Sequence, residues 1–131
     1  MKLLLDTQVW LWMQSAPGNL GPRALDLVSD PENDLLLSAA SSWEIAIKYA
    51  LGKLGLPAPP SDYVPSRMQT SGTEGLAVTH AHALHVASLP DHHRDPFDRL
   101  LVAQAQVESL PVLTADPQIG RYDVEVVPAS A

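Results

Sequence analysis

The 131-residue sequence contains no cysteine, which excludes a disulfide scaffold, a thiolate zinc site and a cysteine nucleophile together. Basic residues are few. Eight Lys and Arg stand against fifteen Asp and Glu, for a formal net charge of -7, so a whole surface built to release counterions from a polyanion is disfavoured. Aromatics make up only 5%, and their scatter through core-like patterns encodes no readable base-recognition surface. No apolar run reaches the roughly 18 residues that span a bilayer. The opening Met1-Lys2-Leu3-Leu4-Leu5 meets Asp6 too soon for a secretory signal, so the expectation is a cytoplasmic protein with no membrane association. What is present is 46% hydrophobic and 18% charged, without repeat or low-complexity tract, and its length fits a single domain over residues 1–131.

Short apolar runs alternate with helical patterns. Residues 2–5 read as a buried strand that ends at Asp6-Thr7, a helix cap, with a helix over 8–14. Pro17-Gly18-Asn19 is a turn signal, and residues 22–30 form a helix pattern with Leu25 and Val28 three apart. A second strand over 35–38 runs into the longest helical pattern of the chain. There Trp43, Ile47, Ala50, Leu51 and Leu54 make one apolar stripe, predicted to face the core until Gly55 and Pro57 stop the helix. Further helices are predicted over 61–69, 80–89 and 95–108, with strands at 75–79, 111–114 and 124–127 and a small turn or helix over 117–120. Strands that are apolar throughout, alternating with helices, predict an α/β three-layer sandwich around a mostly parallel sheet of four or five strands. Ligands of such sheets bind beyond the carboxyl ends of the strands.

Acids stand at those ends. Asp6 follows the first strand, Asp98 lies in the first turn of the long helix, Asp116 follows the fourth strand, and Glu44 sits early in the helix leaving the second. Each has an ordinary explanation. Asp6, Asp95 and Asp116 are favoured N-cap residues, Asp98 gains from a helix dipole, and Glu44 with Lys48 is an i, i+4 pair. As a set the acids go further than capping, because Glu44 caps nothing and Thr7 and Thr114 stand where hydroxyls orient neighbouring carboxylates. Four acids converging on divalent cations would also reverse the local field, so the acidic total does not exclude a nuclease.

The residues that carry these acids resemble the PIN-domain ribonucleases, and within them the VapC-type toxins of bacterial toxin–antitoxin pairs. The resemblance runs through Leu4-Leu5-Asp6-Thr7 with Val9-Trp10-Leu11-Trp12, and through residues 38–48 followed by Leu51-Gly52-Lys53-Leu54. It continues over residues 95–105, which open Asp95-Pro96-Phe97-Asp98-Arg99, and ends at Leu113-Thr114-Ala115-Asp116. It implies a doubly wound fold whose acidic pocket binds Mg²⁺ or Mn²⁺ and cleaves RNA, with Asp6, Glu44, Asp98 and Asp116 matching the family's acidic quartet. The family pattern has a single acid at the third site where this sequence has Asp95 and Asp98; Asp98 is taken as the member of the quartet and Asp95 as a cap or support. The implied reaction is in-line hydrolysis of an RNA phosphodiester by water activated at a divalent ion, leaving a 5′-phosphate and a 3′-hydroxyl. Arg99 and Lys48 are candidates to contact the scissile phosphate, with solvent-facing ion pairs as their alternative. The implied partners are an RNA substrate, a small antitoxin crossing the acidic cleft, and a second copy in a homodimer, with the surface near Trp10, Trp12 and Met13 as a candidate contact.

Two other readings stand beside this one. His80, His82, His85, His92 and His93 are a candidate zinc hydrolase site, although they lack the i, i+4 histidine pair with an intervening glutamate. Their ordinary reading is a helix cap and exposed imidazoles. The second alternative is a non-catalytic acidic α/β module that binds a protein partner, its aspartates serving only as caps.

Overall fold

In the computed structural model, which describes residues 1–130, five parallel strands form one sheet. These are β1 (Lys2–Leu5), β2 (Asp34–Ser38), β3 (Thr73–Leu76), β4 (Val112–Thr114) and β5 (Val126–Pro128), lying in the order β3-β2-β1-β4-β5. Six α-helices connect them: α1 (Thr7–Ser15), α2 (Pro22–Ser29), α3 (Ala39–Ala50), α4 (Pro60–Ser71), α5 (His80–His85) and α6 (Pro96–Glu108). The expected α/β sandwich with a parallel sheet is therefore the observed fold.

The unbroken apolar character of the strands follows from their having helices on both faces. Leu3, Leu4 and Leu5 of the central strand β1 are all fully buried, yet they serve two cores. Leu3 and Leu5 join Leu35, Leu37, Leu113 and Val127 under α1–α4, where Trp10 and Ile45 fill the space. Leu4 points the other way, with Leu36 and Val112, into Leu101, Val102 and Ala105 of α6. Register keeps the faces consistent, Leu4 lying beside Leu36 on one side and Val112 on the other.

Winding explains where a cleft must open. From β1 the chain steps outward through α1 and α2 to β2, then through α3 and α4 to β3. It next crosses back by α5 and α6 to the opposite side of β1 as β4. Because parallel crossovers are right-handed, reversing the direction of travel puts α5 and α6 on the opposite face of the sheet. The connections leaving β1 and β4 therefore diverge, and the gap between them lies at the carboxyl edge of the sheet.

Two expectations are corrected here. The stripe assigned to the core of α3 is rotated: Trp43 is 59% exposed and Leu51 63% exposed, while Ala40, Ser41, Glu44 and Ile45 are buried. The neighbours of α3 decide its inward face, and they accept small and polar side chains from one strip of it; Trp43 instead rests edge-on against Phe97. The helix also stops at Ala50 and does not run on to Leu54. Gly52 takes a left-handed φ of 71°, and the Gly52 and Lys53 amides donate to Tyr49 and Lys48 carbonyls at 3.0 and 2.9 Å, a Schellman closure. Smaller shifts occur at β3, which begins at Thr73, and at α5, which ends at His85 before a single 3-10 turn over Val86–Ser88.

Stability measurements distinguish the two tryptophans. Trp10 is fully buried and donates its indole N–H to Thr73 Oγ1 at 3.3 Å. Trp10→Ala is expected to lower the unfolding free energy by about 3–5 kcal/mol. Trp43→Ala should change it by less than about 1 kcal/mol, as an exposed position does. Urea denaturation of both variants at matched m-values checks the assignment of the α3 face.

Candidate active site

A cleft of about 450 Å³ opens at the carboxyl edge of the sheet, and Asp6, Glu44, Lys48, Asp95, Asp98 and Asp116 all line it. The four quartet candidates are thus brought together on one wall system, from four different elements.

Asp6 is the first residue beyond β1, and its amide donates to Leu113 O of β4 at 3.0 Å. The backbone at Asp6 has the extended geometry of an N-cap, but the carboxylate makes no capping bond to α1. It accepts instead from Thr114 Oγ1 at 2.7 Å. That same hydroxyl accepts from the Asp116 amide at 3.0 Å, so Thr114 ties the ends of β1 and β4 together. Asp116 does act as a local cap, its Oδ1 taking the Gln118 amide at 2.9 Å. The Thr7 hydroxyl orients no carboxylate; it donates to Ser41 Oγ of α3 at 2.8 Å, joining the two helices under the cleft.

Glu44 lies on the buried face of α3. Its Oε2 accepts from Lys48 Nζ, while Oε1 is buried with no hydrogen-bond partner. A buried carboxylate oxygen without a donor is expensive unless something else satisfies it. At the start of α6, Asp95 is the cap, accepting from the Phe97 and Asp98 amides at 2.9 and 3.2 Å. That leaves the Asp98 carboxylate free to face the other acids.

Crowding shows in the protonation equilibria. Asp98 is pushed up to about 8, by burial first and then by the charges of Asp6, Asp95, Glu44 and Asp116. Burial also raises Asp6, the Thr114 hydrogen bond opposing and Glu44 and Asp116 adding to the rise. Lys48 is raised, mainly by its hydrogen bond to Glu44. Among the described residues, Lys48 and Lys53 are the only cations in the cleft wall, and Lys48 is committed to Glu44. The donor set is hard oxygen, one buried oxygen is unpaired, and the negative charge exceeds what the chain itself neutralises. These are the conditions a hard divalent cation satisfies.

Several sequence expectations fall elsewhere. Arg99 is not directed to the cleft: its guanidinium donates to Pro90 O at 2.9 Å, Val86 O at 3.4 Å and Tyr122 Oη at 3.2 Å, strapping the loop before α6 to the body of the domain. Trp10 is wholly interior and contributes no contact surface, whereas Trp12 is half-buried and lines the cleft with Gln8, Lys53 and Leu54. The histidines do not assemble a zinc site. His82 is buried in a capping box with Thr79 and pairs with Glu108 at 2.9 Å, His85 meets Gln106 at 2.7 Å, and His92 packs on Tyr122. His93 alone reaches the acids, Nε2 lying 3.5 Å from Asp98 Oδ2. Sequence reasoning missed that role because it grouped His93 with the other histidines instead of with Asp98, five residues on.

The chain matches the PIN-domain family over residues 3–125, and it belongs to that family. Over 59 residues it is 58% identical to Ribonuclease VapC16 of Mycobacterium tuberculosis, a stretch that covers 45% of this chain and 42% of that protein. The match thus spans less than half the length of that curated relative. Among solved structures, VapBC2 from Rickettsia felis bound to a DNA fragment from their promoter aligns with a TM-score of 0.71 at 14% identity, covering 97% of this chain and 98% of that one. DNA-bound VapBC from Salmonella typhimurium aligns at 0.65 and 18% identity, covering 97% of each chain. At those identities the likeness speaks for the fold.

The crowding of Asp98 has a measurable sign. Its carboxyl binds a proton more tightly in the folded chain, with a pKa of about 8, than in the unfolded chain, where the ordinary aspartate value of 3.8 applies. The associated stability is complete below about pH 4 and lost as pH rises toward 8. Chelator-treated protein should therefore become less stable between pH 5 and 8, by on the order of a few kcal/mol. Asp98→Asn should flatten that dependence and be the more stable protein at pH 8; denaturation curves across the range decide it.

Proposed function

We propose that this chain is a metal-dependent endoribonuclease that hydrolyses RNA phosphodiester bonds as the toxin of a toxin–antitoxin pair, built as a single PIN domain over residues 1–131. The observation that carries the reading is the convergence of Asp6, Glu44, Asp98 and Asp116 on one buried, under-neutralised cleft at the switch point of the sheet. Membership of the PIN family and the stretch of 58% identity to a ribonuclease support the reaction class. The VapBC assemblies among the structural neighbours support a small antitoxin as a partner. A homodimer and a cytoplasmic setting complete the reading, and no helix among the described residues is long and apolar enough to cross a membrane.

Asp6, Glu44, Asp98 and Asp116 would hold Mg²⁺ or Mn²⁺. Such an ion, when bound, stabilises phosphoryl charge and acidifies water for in-line attack. The protein's own contribution is placement. Thr114 orients Asp6 and the backbone of Asp116, Asp95 shapes the turn that presents Asp98, and Lys48 holds Glu44 against the cleft wall. Lys48, half exposed at the cleft, remains close enough to the acids to meet a phosphate drawn to them. Trp12 and Gln8 form the adjoining wall along which a single-stranded substrate would lie.

Cleavage of end-labelled cellular RNA by the antitoxin-free protein tests this reading. Activity is expected with Mg²⁺ or Mn²⁺, is abolished by chelator, and falls at least about a hundredfold in Asp98→Ala, with products ending in 5′-phosphate and 3′-hydroxyl. Products carrying a 2′,3′-cyclic phosphate would rule out water as the nucleophile. Folded, metal-loaded protein that cleaves no RNA would favour the non-catalytic binding module, in which Asp95 and Asp116 serve only as caps.

A further inference from the structure

The four carboxylates leave His93 without a part, yet its ring is held by several contacts beside the cleft. It stands in the loop ahead of α6, two residues before the cap Asp95. His93 Nδ1 lies 2.8 Å from Tyr122 Oη, and the ring packs on the Tyr122 ring at a centroid distance of 5.4 Å. Tyr122 is buried and is itself held by Arg99, whose Nη1 also donates to the carbonyl of His93 at 3.5 Å. The imidazole is thus fixed through its ring nitrogen, its ring face and its backbone.

The other nitrogen is left open. His93 Nε2 is buried and makes no hydrogen bond, although Asp98 Oδ2 lies 3.5 Å away. One ligand atom each from His93, Asp98 and Asp116 lie within 4.8 Å of one another. Donors about 2.0–2.2 Å from a common ion stand roughly 3–4 Å apart, so the three atoms need only a small contraction to share one. His93 does not line the main cleft, but Asp98 and Asp116 do, so the imidazole approaches the same carboxylates from beside it. In the tautomer that donates Nδ1–H to Tyr122 Oη, the Nε2 lone pair faces the acids. That is the usual way a neighbouring oxygen prepares a histidine ligand.

We propose that His93 Nε2 is a ligand of the divalent ion together with Asp98 and Asp116, and that this nitrogen biases the site toward Mn²⁺ over Mg²⁺. The inference rests on the metal-site reading above and adds a donor to it. Mg²⁺ favours an all-oxygen shell and surrenders its waters reluctantly, whereas first-row transition ions accept imidazole readily. Tyr122 and Arg99 are positioning residues in this scheme. They act through the His93 ring and carbonyl, and this gives the Arg99 guanidinium a part away from the cleft.

Electron spin echo modulation of Mn²⁺ bound to the untagged chain tests the inference without reference to catalysis. Directly coordinated ¹⁴N modulation is expected in the wild type and in His92→Ala, and absent in His93→Ala. Titration should show Mn²⁺ affinity weakened about tenfold in His93→Ala, with Mg²⁺ affinity changed less than about twofold. Tyr122→Phe should keep the modulation and weaken Mn²⁺ binding, in the range seen when a ligand's supporting partner is lost. Wild-type protein that binds Mn²⁺ without ¹⁴N coupling, or coupling that survives in His93→Ala, would overturn the assignment while leaving a carboxylate site standing. Folded wild type that binds no Mn²⁺ would remove the metal-site reading itself.

Discussion

The reversal of winding across β1 is the constraint on which the rest of the molecule depends. β1 pairs in parallel with both β2 and β4, and right-handed crossovers place the connections on its two sides on opposite faces of the sheet. Backbone leaving β1 and β4 must therefore part, and a concavity opens there that no side chain of a central strand can fill. Asp6 and Asp116 lie at that parting because they come one and two residues after the ends of the two strands at Leu5 and Thr114. Thr114 then limits how far the ends separate, with one hydroxyl bonded to the Asp6 carboxylate and the Asp116 amide.

Cores on both faces make this arrangement durable. Leucines along β1 and β2 alternate between the cores while all remain buried, so the sheet is anchored independently of its carboxyl edge. Burial of the acids works against folding, as the rise of Asp98 to about 8 records. A protein tolerates such a cluster where the surrounding packing over-determines its shape and where a ligand satisfies it in the working state. The strap from Arg99 to Pro90, Val86 and Tyr122 belongs to the same arrangement, since it stiffens the loop that presents Asp95 and Asp98.

Much of this was legible from residue order. Most strands and helices announced themselves by an apolar run, a cap or a proline, and Asp95-Pro96 marked the start of α6 within a residue, whereas β3 forms over Thr73–Leu76, mostly ahead of the apolar run at 75–79. The face of α3 was not legible. Periodicity identifies a helix and its apolar stripe, but the largest apolar residue of α3 is outside, and the buried strip carries Ser41 and Glu44 because Thr7 and the cleft lie against it. Arg99 was misread for a related reason: a base beside a catalytic-looking acid suggests a phosphate contact, whereas successive helical residues point about 100° apart and Asp98 and Arg99 face different surroundings.

Local chemistry in the sequence by itself determined the element order, the parallel sheet, the absence of thiol chemistry and the positions of the acids at strand and helix ends, because caps, breakers and apolar runs act over a few residues. Only the tertiary structure decided which acids merely cap and which are crowded, that Thr114 serves Asp6 while Thr7 serves Ser41, and that His93 reaches Asp98 whereas His82 and His85 turn to α6. Those outcomes depend on distances between segments far apart in the chain, set by how two cores pack against one sheet. Burial and mutual repulsion, which give the carboxylates their character, come into being only when that packing is complete.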